Sequence, residues 1–207
     1  MSVIVKICGI TNLPDALAAV EAGANALGFV FWERSPRSVS VATAAAIARE
    51  LPAHIIKVGV FVDAPEDQVS NAAKACSLNL LQFHGNESPA DCLRFGVMSM
   101  KAFRVRDAES LGEVRSFATD AWLLDAYAPG QPGGTGACFN WALAQEVARW
   151  GRPVFLAGGL TPENVAGAIR QVQPYGVDVS SGVEASPGRK DHGRLLAFIQ
   201  ATRIAAG

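Results

Sequence analysis

The chain has 207 residues, half of them hydrophobic, and a formal net charge of −1 at pH 7. This length suffices for one domain with a single large core, so we expect residues 1–207 to form one catalytic domain. Near-neutral charge argues against nucleic acid or an anionic membrane surface as the main partner. Charges or prolines interrupt every hydrophobic stretch before it reaches the length of a membrane span. Because the sequence begins with a strand-like segment and no recognisable leader, we expect a cytoplasmic protein.

Cysteine and histidine spacing gives no sign of a metal site. The residues concerned are Cys8, Cys76, Cys92, Cys138, His54, His84 and His192. None of the cysteines forms a CxxC pair, and the histidines are widely separated. We therefore expect free thiols rather than a disulfide framework, and no bound metal.

Short apolar runs alternate with helical patterns along the whole chain. The predicted strands are residues 5–10, 26–31, 55–62, 80–84, 100–105, 122–126, 154–157 and 177–180. The first helical pattern follows Asn12, with Thr11 as an alternative N-cap, Pro14 in the first turn and Gly23 at the end. Further helices are predicted at 41–51, 89–95, 108–117, 141–150 and 193–204. Two more are predicted to begin after Asp63, which would be the N-cap, and at Thr161.

Eight consecutive strand–helix units predict a parallel sheet, because each return to the sheet passes through a helix. An open doubly wound sheet is one arrangement. Closure into a compact single-domain (β/α)8 TIM barrel fits better, because eight units account for the chain with no strand left over. The predicted fold class is therefore α/β, with eight parallel strands.

In such a barrel the active site forms at the carboxyl ends of the strands. The residues there are Cys8, Arg37, Asp63, His84, Arg104, Asp125, Gly158, Gly159, Ser180, Ser181 and Gly182. Asp63 is more typical of a helix cap and Arg104 of a solvated rim residue. His84 either contacts a ligand or is hydrogen-bonded into its loop.

Glycine-rich turns follow the last two strands. Gly158 and Gly159 would let the backbone approach an anion, with a helix beginning just beyond them. Ser181 and Gly182 form a second turn of small residues after the eighth strand. A lone Gly-Gly pair is usually a tight turn. Two such turns in these positions predict a phosphorylated substrate.

Cys8 and Asp125 form a candidate acid–base pair. Cys8 would face the barrel interior if Ile7 packs against the helices. A strand cysteine is often only a small hydrophobic residue, and a carboxylate at a strand end can cap a loop. Together, a thiol and a carboxyl group at the barrel mouth could move protons on a bound sugar.

The motifs at these strand ends also resemble those of a known family. They are Lys6-Ile7-Cys8-Gly9-Ile10-Thr11, Gly28-Phe29-Val30-Phe31, Ser35-Pro36-Arg37-Ser38, Leu81-Gln82-Phe83-His84-Gly85, Leu124-Asp125, Gly133-Gly134-Thr135-Gly136, Ala157-Gly158-Gly159-Leu160 and Asp178-Val179-Ser180-Ser181-Gly182. In this order they resemble the phosphoribosylanthranilate isomerase family over essentially the whole chain.

The resemblance implies an Amadori rearrangement of N-(5′-phosphoribosyl)anthranilate in tryptophan biosynthesis, without a cofactor. It implies that Asp125 is the general acid and Cys8 the general base. Arg37 would bind the substrate carboxylate, while His84 and Asp178 would lie at the substrate. The turns at Gly158-Gly159 and Ser181-Gly182 would bind the phosphate, and Thr135 with Gly136 would either help close over the substrate or form a surface turn. The expected partner is the phosphorylated sugar–anthranilate substrate, and the chain would be a monomer or a homodimer.

Four other functions compete with this interpretation. A ribulose-phosphate epimerase would require metal ligands at the strand ends, and an indoleglycerol-phosphate synthase would require catalytic lysines inside the barrel. Lys6, Lys57 and Lys101 do lie on strands, but the surrounding motifs favour the isomerase. A non-catalytic sugar-phosphate-binding barrel would not need both Cys8 and Asp125. An isomerase that also accepts the related histidine-pathway aminoaldose would need a second phosphate turn, which the sequence lacks after strands three and four.

Overall fold

The computed structural model describes residues 3–105, 107–125 and 141–206. Eight parallel strands are hydrogen-bonded in chain order, and β1 pairs with β8 to close the ring. The strands are β1 Ile4–Cys8, β2 Ala26–Val30, β3 Ile56–Phe61, β4 Leu80–Phe83, β5 Met98–Arg104, β6 Ala121–Asp125, β7 Val154–Ala157 and β8 Gly176–Val179. The predicted (β/α)8 barrel is confirmed. Of the helices in the described ranges, none has the length and apolar character needed to cross a membrane.

Seven α-helices of the described chain surround the strands. They are α1 Leu13–Ala22, α2 Val41–Glu50, α3 Glu66–Ala75, α4 Pro89–Leu93, α5 Trp141–Ala148, α6 Val165–Val172 and α7 His192–Ala206. The Asn12 side chain accepts a hydrogen bond from the Asp15 backbone N–H, and Gly23 ends α1 in the left-handed conformation. Both features of α1 were predicted, because capping depends on the local sequence alone.

Side chains alternate between the two faces of the barrel wall. Ile7 packs in the layer that the strands share with the helices, whereas Cys8 packs with Val30 and Val60 at the mouth. The prediction that Cys8 faces inward is confirmed. A separate cluster contributed by strands only, including Met100 and Leu123, fills the barrel below the mouth. The mouth therefore rests on a packed interior, as is usual for this fold.

The helix predicted at 108–117 is wrong. The chain forms two three-residue 3₁₀ segments there, Glu109–Leu111 and Val114–Ser116. The Asp107 and Ser110 side chains bond the backbone around them, and the Ser116 hydroxyl donates to the Glu113 carbonyl. Such local bonds compete with a helical ladder, which explains why no regular helix forms.

Two predicted helix starts are also wrong. Asp63 is not a cap: its backbone has a positive φ of 49°, its carboxylate accepts from Asn86, and α3 begins after Pro65. Helix α6 begins at Val165 rather than at Thr161, because residues before it form a turn in which the Asn164 side-chain Oδ1 accepts from the Thr161 N–H.

A short antiparallel pair of strands, which the sequence patterns did not predict, follows β8. Its strands are β9 Glu184–Ser186 and β10 Arg189–Lys190. Its strands have three and two residues, too few for a periodic pattern to show. The pair nevertheless brings Glu184 and Lys190 to the barrel mouth, where both contact site residues.

Candidate active site

A cavity of about 410 Å³ opens at the carboxyl ends of the strands. It lies where a barrel of this type carries its active site. It is lined by the predicted catalytic, substrate-binding and phosphate-binding residues Cys8, Arg37, His84, Asp125, Gly158, Gly159, Asp178, Ser181 and Gly182. Arg104 and Ser180 line it too, and Asp63 does not. The geometry thus brings these residues together, and their chemical roles remain predictions. Thr135 and Gly136, a predicted part of the site, lie outside the described residues.

The Cys8 thiol lies in a buried, charged environment. Lys6, two residues earlier on the same face of β1, donates from Nζ to Asp178 Oδ1 over 2.7 Å. Burial raises the pKa of the Cys8 thiol, and the nearby Asp178 carboxylate acts in the same direction. The positive charges of Lys6 and Lys190 oppose this rise in pKa without cancelling it. Formation of the Cys8 thiolate therefore depends on the balance between burial and these three charges.

Asp125 is paired with a histidine on a neighbouring part of the rim. His84 Nε2 lies 3.2 Å from Asp125 Oδ2, and both side chains are about one-fifth exposed. On the other side of the ring, Nδ1 lies 3.2 Å from Gln82 Nε2. The contacts from Gln82 to His84 and from His84 to Asp125 orient the Asp125 carboxyl group in the cavity. His84 thus contacts a cavity carboxylate as well as Gln82, and its contact with a ligand stays a prediction.

The two glycine turns lie against each other at the rim. Gly158 and Gly159 have φ values of 82° and 65°, a conformation that favours glycine. A Cβ atom on Gly182 would lie 1.9 Å from the Leu160 carbonyl oxygen, so the second turn touches the first. The Arg194 Nε donates to the Gly182 carbonyl over 3.0 Å. Small residues and a nearby guanidinium make this corner suitable for an anion.

Arg37 is held by a carboxylate that the sequence analysis did not assign a role. Its Nε and Nη2 donate to both oxygens of Glu184, with a shortest distance of 2.6 Å. Glu184 also accepts from Lys190 Nζ over 2.9 Å, and Lys190 donates to the Cys8 carbonyl over 2.6 Å. Although burial alone would raise the pKa of Glu184, these two cations hold it below its usual range. The network ties Arg37 to the strand that carries Cys8.

Four residues of the site were not assigned a role from the sequence: Lys6, Gln82, Glu184 and Lys190. Lys6 and Gln82 had a usable signal, because each lies two residues before a predicted site residue and so shares its face of the strand. Glu184 carries no local sign of its partner in the sequence. Lys190 lies 182 residues from Cys8, and nothing near it in sequence indicates that contact.

Replacing Glu184 with glutamine should raise the KM for the predicted phosphorylated substrate about tenfold and change kcat less. The neutral amide cannot form the bidentate, charge-assisted pair that orients Arg37, and such a bond contributes roughly 1.5–3 kcal/mol. Steady-state kinetics would measure this. Glu87→Gln is the matched control. Glu87 is similarly buried, its Oε2 lies 2.8 Å from Lys101 Nζ, and this ion pair lies outside the cavity. An unchanged KM in Glu184→Gln would contradict the positioning of Arg37 by Glu184.

Comparisons with known proteins agree with this geometry. The family model described as N-(5′phosphoribosyl)anthranilate (PRA) isomerase matches residues 5–201. The enzyme of that name from Pelobacter propionicus is 54% identical over 196 residues, covering 95% of this chain and 93% of the relative. The one from a Geobacter species is 55% identical over 195 residues, covering 94% and 95%.

Solved structures show the same relationship. The phosphoribosyl anthranilate isomerase of Thermotoga maritima superposes with a TM-score of 0.92 at 42% identity, covering 97% of this chain and 98% of that one. A structure of phosphoribosyl anthranilate isomerase in complex with reduced 1-(o-carboxyphenylamino)-1-deoxyribulose 5-phosphate gives a TM-score of 0.88 at 40% identity, with the same coverage. The full-length family match, the identities and the barrel show that this chain belongs to the N-(5′-phosphoribosyl)anthranilate isomerase family.

Proposed function

We propose that this isomerase carries out its reaction in the cavity described above, with Asp125 as general acid and Cys8 as general base. The substrate is N-(5′-phosphoribosyl)anthranilate and the product is 1-(2-carboxyphenylamino)-1-deoxyribulose 5-phosphate, a step of tryptophan biosynthesis. The observation that carries the proposal is that the thiol of β1 and the carboxyl of β6 line one cavity, whose rim holds both glycine turns.

The first step opens the ribose ring. Asp125 donates a proton to the ring oxygen while the bond between that oxygen and C1′ breaks. The anthranilate nitrogen supplies the electron pair, so the product of this step is a protonated Schiff base. The position of His84, whose Nε2 lies 3.2 Å from Asp125 Oδ2, supports the step, because the ring restricts the orientation of the carboxyl group.

The second step moves a proton from carbon. The Cys8 thiolate removes the proton at C2′, and the electron pair of that C–H bond flows to the cationic nitrogen, giving an enolamine. Loss of the C2′ hydroxyl proton and protonation of C1′ then give the ketone, so substrate and product are isomers. The protonated nitrogen is the electron sink, which is why the residues present suffice without a cofactor.

Substrate binding follows the charges of the cavity. We propose that Arg37 binds the anthranilate carboxylate, whose two oxygens match its planar fork. The turns at Gly158-Gly159 and Ser181-Gly182 would bind the phosphate, and His84 and Asp178 would contact the sugar. The ligand of the related complex carries the same carboxyphenyl, sugar and phosphate groups, which supports this arrangement.

The direct test is turnover of the fluorescent substrate. It is made in place from anthranilate and phosphoribosyl pyrophosphate, and loss of its fluorescence is followed on adding the chain in buffer containing a chelator. We expect rapid, enzyme-dependent loss and a product that chromatography identifies as the aminodeoxyribulose phosphate. If a correctly folded chain only binds the substrate, the catalytic proposal is wrong and the non-catalytic barrel takes its place.

Assembly and location belong to the same proposal. We propose that residues 1–207 act as one domain, as a monomer or homodimer, in the cytoplasm. The family model spans residues 5–201 without a break, which supports a single domain. A related isomerase from Thermotoga maritima is described as dimeric, with monomers generated from it. Analytical ultracentrifugation and cell fractionation would test assembly and location.

A further inference from the structure

A lysine lies inside the barrel directly below the candidate site. The Lys6 side chain has no exposed surface, and its Nζ lies 2.7 Å from Asp178 Oδ1, whose side chain is 10% exposed. The pair bridges the seam between β1 and β8, where Lys6 and Asp178 are register partners. Around it the barrel interior is apolar, built from residues such as Met100 and Leu123. A charge placed there requires a reason beyond packing.

The same ammonium group also lies close to the Cys8 sulfur. The positive charge of Lys6 acts to lower the pKa of the Cys8 thiol. Both groups rest on Gly28 of β2: a Cβ atom there would lie 2.9 Å from Cys8 Sγ and 3.2 Å from Lys6 Nζ. The absence of a side chain at Gly28 thus leaves room for sulfur and ammonium to meet.

This arrangement puts a positive charge under the thiol but out of reach of a ligand. Because Lys6 has no exposed surface, it cannot contact the substrate, and its effect must pass through Cys8 and Asp178. Removing an anion such as a thiolate from water is costly unless a cation compensates it. In the interior of this barrel, Lys6 supplies that compensation at the base of the cavity.

We propose that Lys6 is a positioning residue whose ammonium group, shared between Asp178 and Cys8, holds the Cys8 thiolate during turnover. The inference deepens the proposed function, since it rests on Cys8 as the general base. Lys6 would then be a third charged group that the reaction depends on, beside Cys8 and Asp125, although it does not touch the substrate.

The signs of the surrounding charges make the inference testable. Burial raises the pKa of Cys8; Lys6 lowers it, Asp178 raises it and Lys190 lowers it. Those three are the charged groups that act on the thiol from β1, β8 and β10. Loss of Lys6 should therefore make the thiolate harder to form, and loss of the Asp178 charge should make it easier. A purely structural lysine would not produce opposite shifts.

The experiment compares Lys6→Met, Asp178→Asn and the double variant by two readouts across pH. One is kcat/KM; the other is the alkylation rate of Cys8 by iodoacetamide in the free enzyme, read at the Cys8 peptide by mass spectrometry. Lys6→Met should reduce kcat/KM about tenfold at pH 7 and less at pH 9.5, with its alkylation profile moved to higher pH. Asp178→Asn should move the alkylation profile to lower pH, and the double variant should return it toward wild type.

Lys101→Met is the matched control, because Lys101 is also a buried strand lysine, ion-paired with Glu87 outside the cavity. It should leave the Cys8 profile unchanged. If Lys6→Met alone fails to fold, the double variant still allows the test, because removing both Lys6 and the Asp178 charge leaves neither group unpaired. Unmoved alkylation profiles, or a loss of kcat/KM by the same factor at every pH, would overturn the inference. Alkylation profiles that shift while the pH profile of kcat/KM does not would support the effect of Lys6 on the thiol and refute Cys8 as the base.

Discussion

Replacing Asp125 with asparagine, or Cys8 with alanine, should lower kcat/KM about a thousandfold. Asparagine preserves the shape of the side chain and its place near His84 but has no proton to give the ring oxygen. Alanine at residue 8 removes the only thiol that lines the cavity within the described residues. Substrate affinity should change little in both variants, because neither side chain is proposed to anchor the carboxylate or the phosphate. Fluorescence turnover and substrate binding to the inactive variants would measure the two effects separately.

Matched controls lie elsewhere in the barrel. Asp120→Asn changes a carboxylate that accepts the Ser99 N–H at the opposite end of the strands. Cys92→Ala removes a thiol that is 1% exposed and whose pKa is raised to about 11, chiefly by burial. Both controls should keep wild-type kcat/KM. A Cys8→Ala enzyme with more than a tenth of wild-type activity would require another base.

The fold and the members of the cavity could be predicted because they depend on regular geometry. The strands of a parallel barrel appear in the sequence as short apolar runs. Their carboxyl ends meet at one end of the barrel even if the helix boundaries are predicted imprecisely. Reading the last residue of each strand was therefore enough to select Cys8, His84 and Asp125. The wrong prediction of a helix at 108–117 arises from local interactions instead. There, hydrogen bonds between hydroxyl and carboxyl side chains and the nearby backbone determine the local structure.

The charged network beneath the mouth could not be predicted in this way. Lysine on a strand is ordinarily exposed, and the burial of Lys6 depends on Asp178, 172 residues away in the chain. The same holds for the pairing of Arg37 with Glu184, 147 residues away. Barrel closure brings the first strand beside the last, so two of the three charged groups that act on Cys8, Asp178 and Lys190, come from the far end of the sequence.

Gly182→Ala should raise the KM for substrate about a hundredfold and lower the melting temperature. An added Cβ would lie 1.9 Å from the Leu160 carbonyl oxygen and 3.0 Å from its carbonyl carbon, both backbone atoms that cannot rotate away. The turn after β8 must then separate from the turn after β7. If the two turns bind the phosphate together, two charge-assisted hydrogen bonds of roughly 1.5–3 kcal/mol each are put at risk. Steady-state kinetics and inhibition by inorganic phosphate would follow the binding, and calorimetry the stability.

Gly167→Ala provides the comparison for that result. Gly167 lies within α6, and an added Cβ would meet the Trp141 ring at an ordinary contact distance of 3.7 Å. Alanine there should leave KM unchanged and raise stability slightly, since alanine favours a helix by about 1 kcal/mol over glycine. A Gly182→Ala enzyme that melts earlier yet keeps its KM and its phosphate inhibition below the melting range would place the phosphate elsewhere. A joint loss of substrate affinity and phosphate inhibition, with Gly167→Ala unaffected, would instead locate the phosphate where the last two turns of the barrel meet.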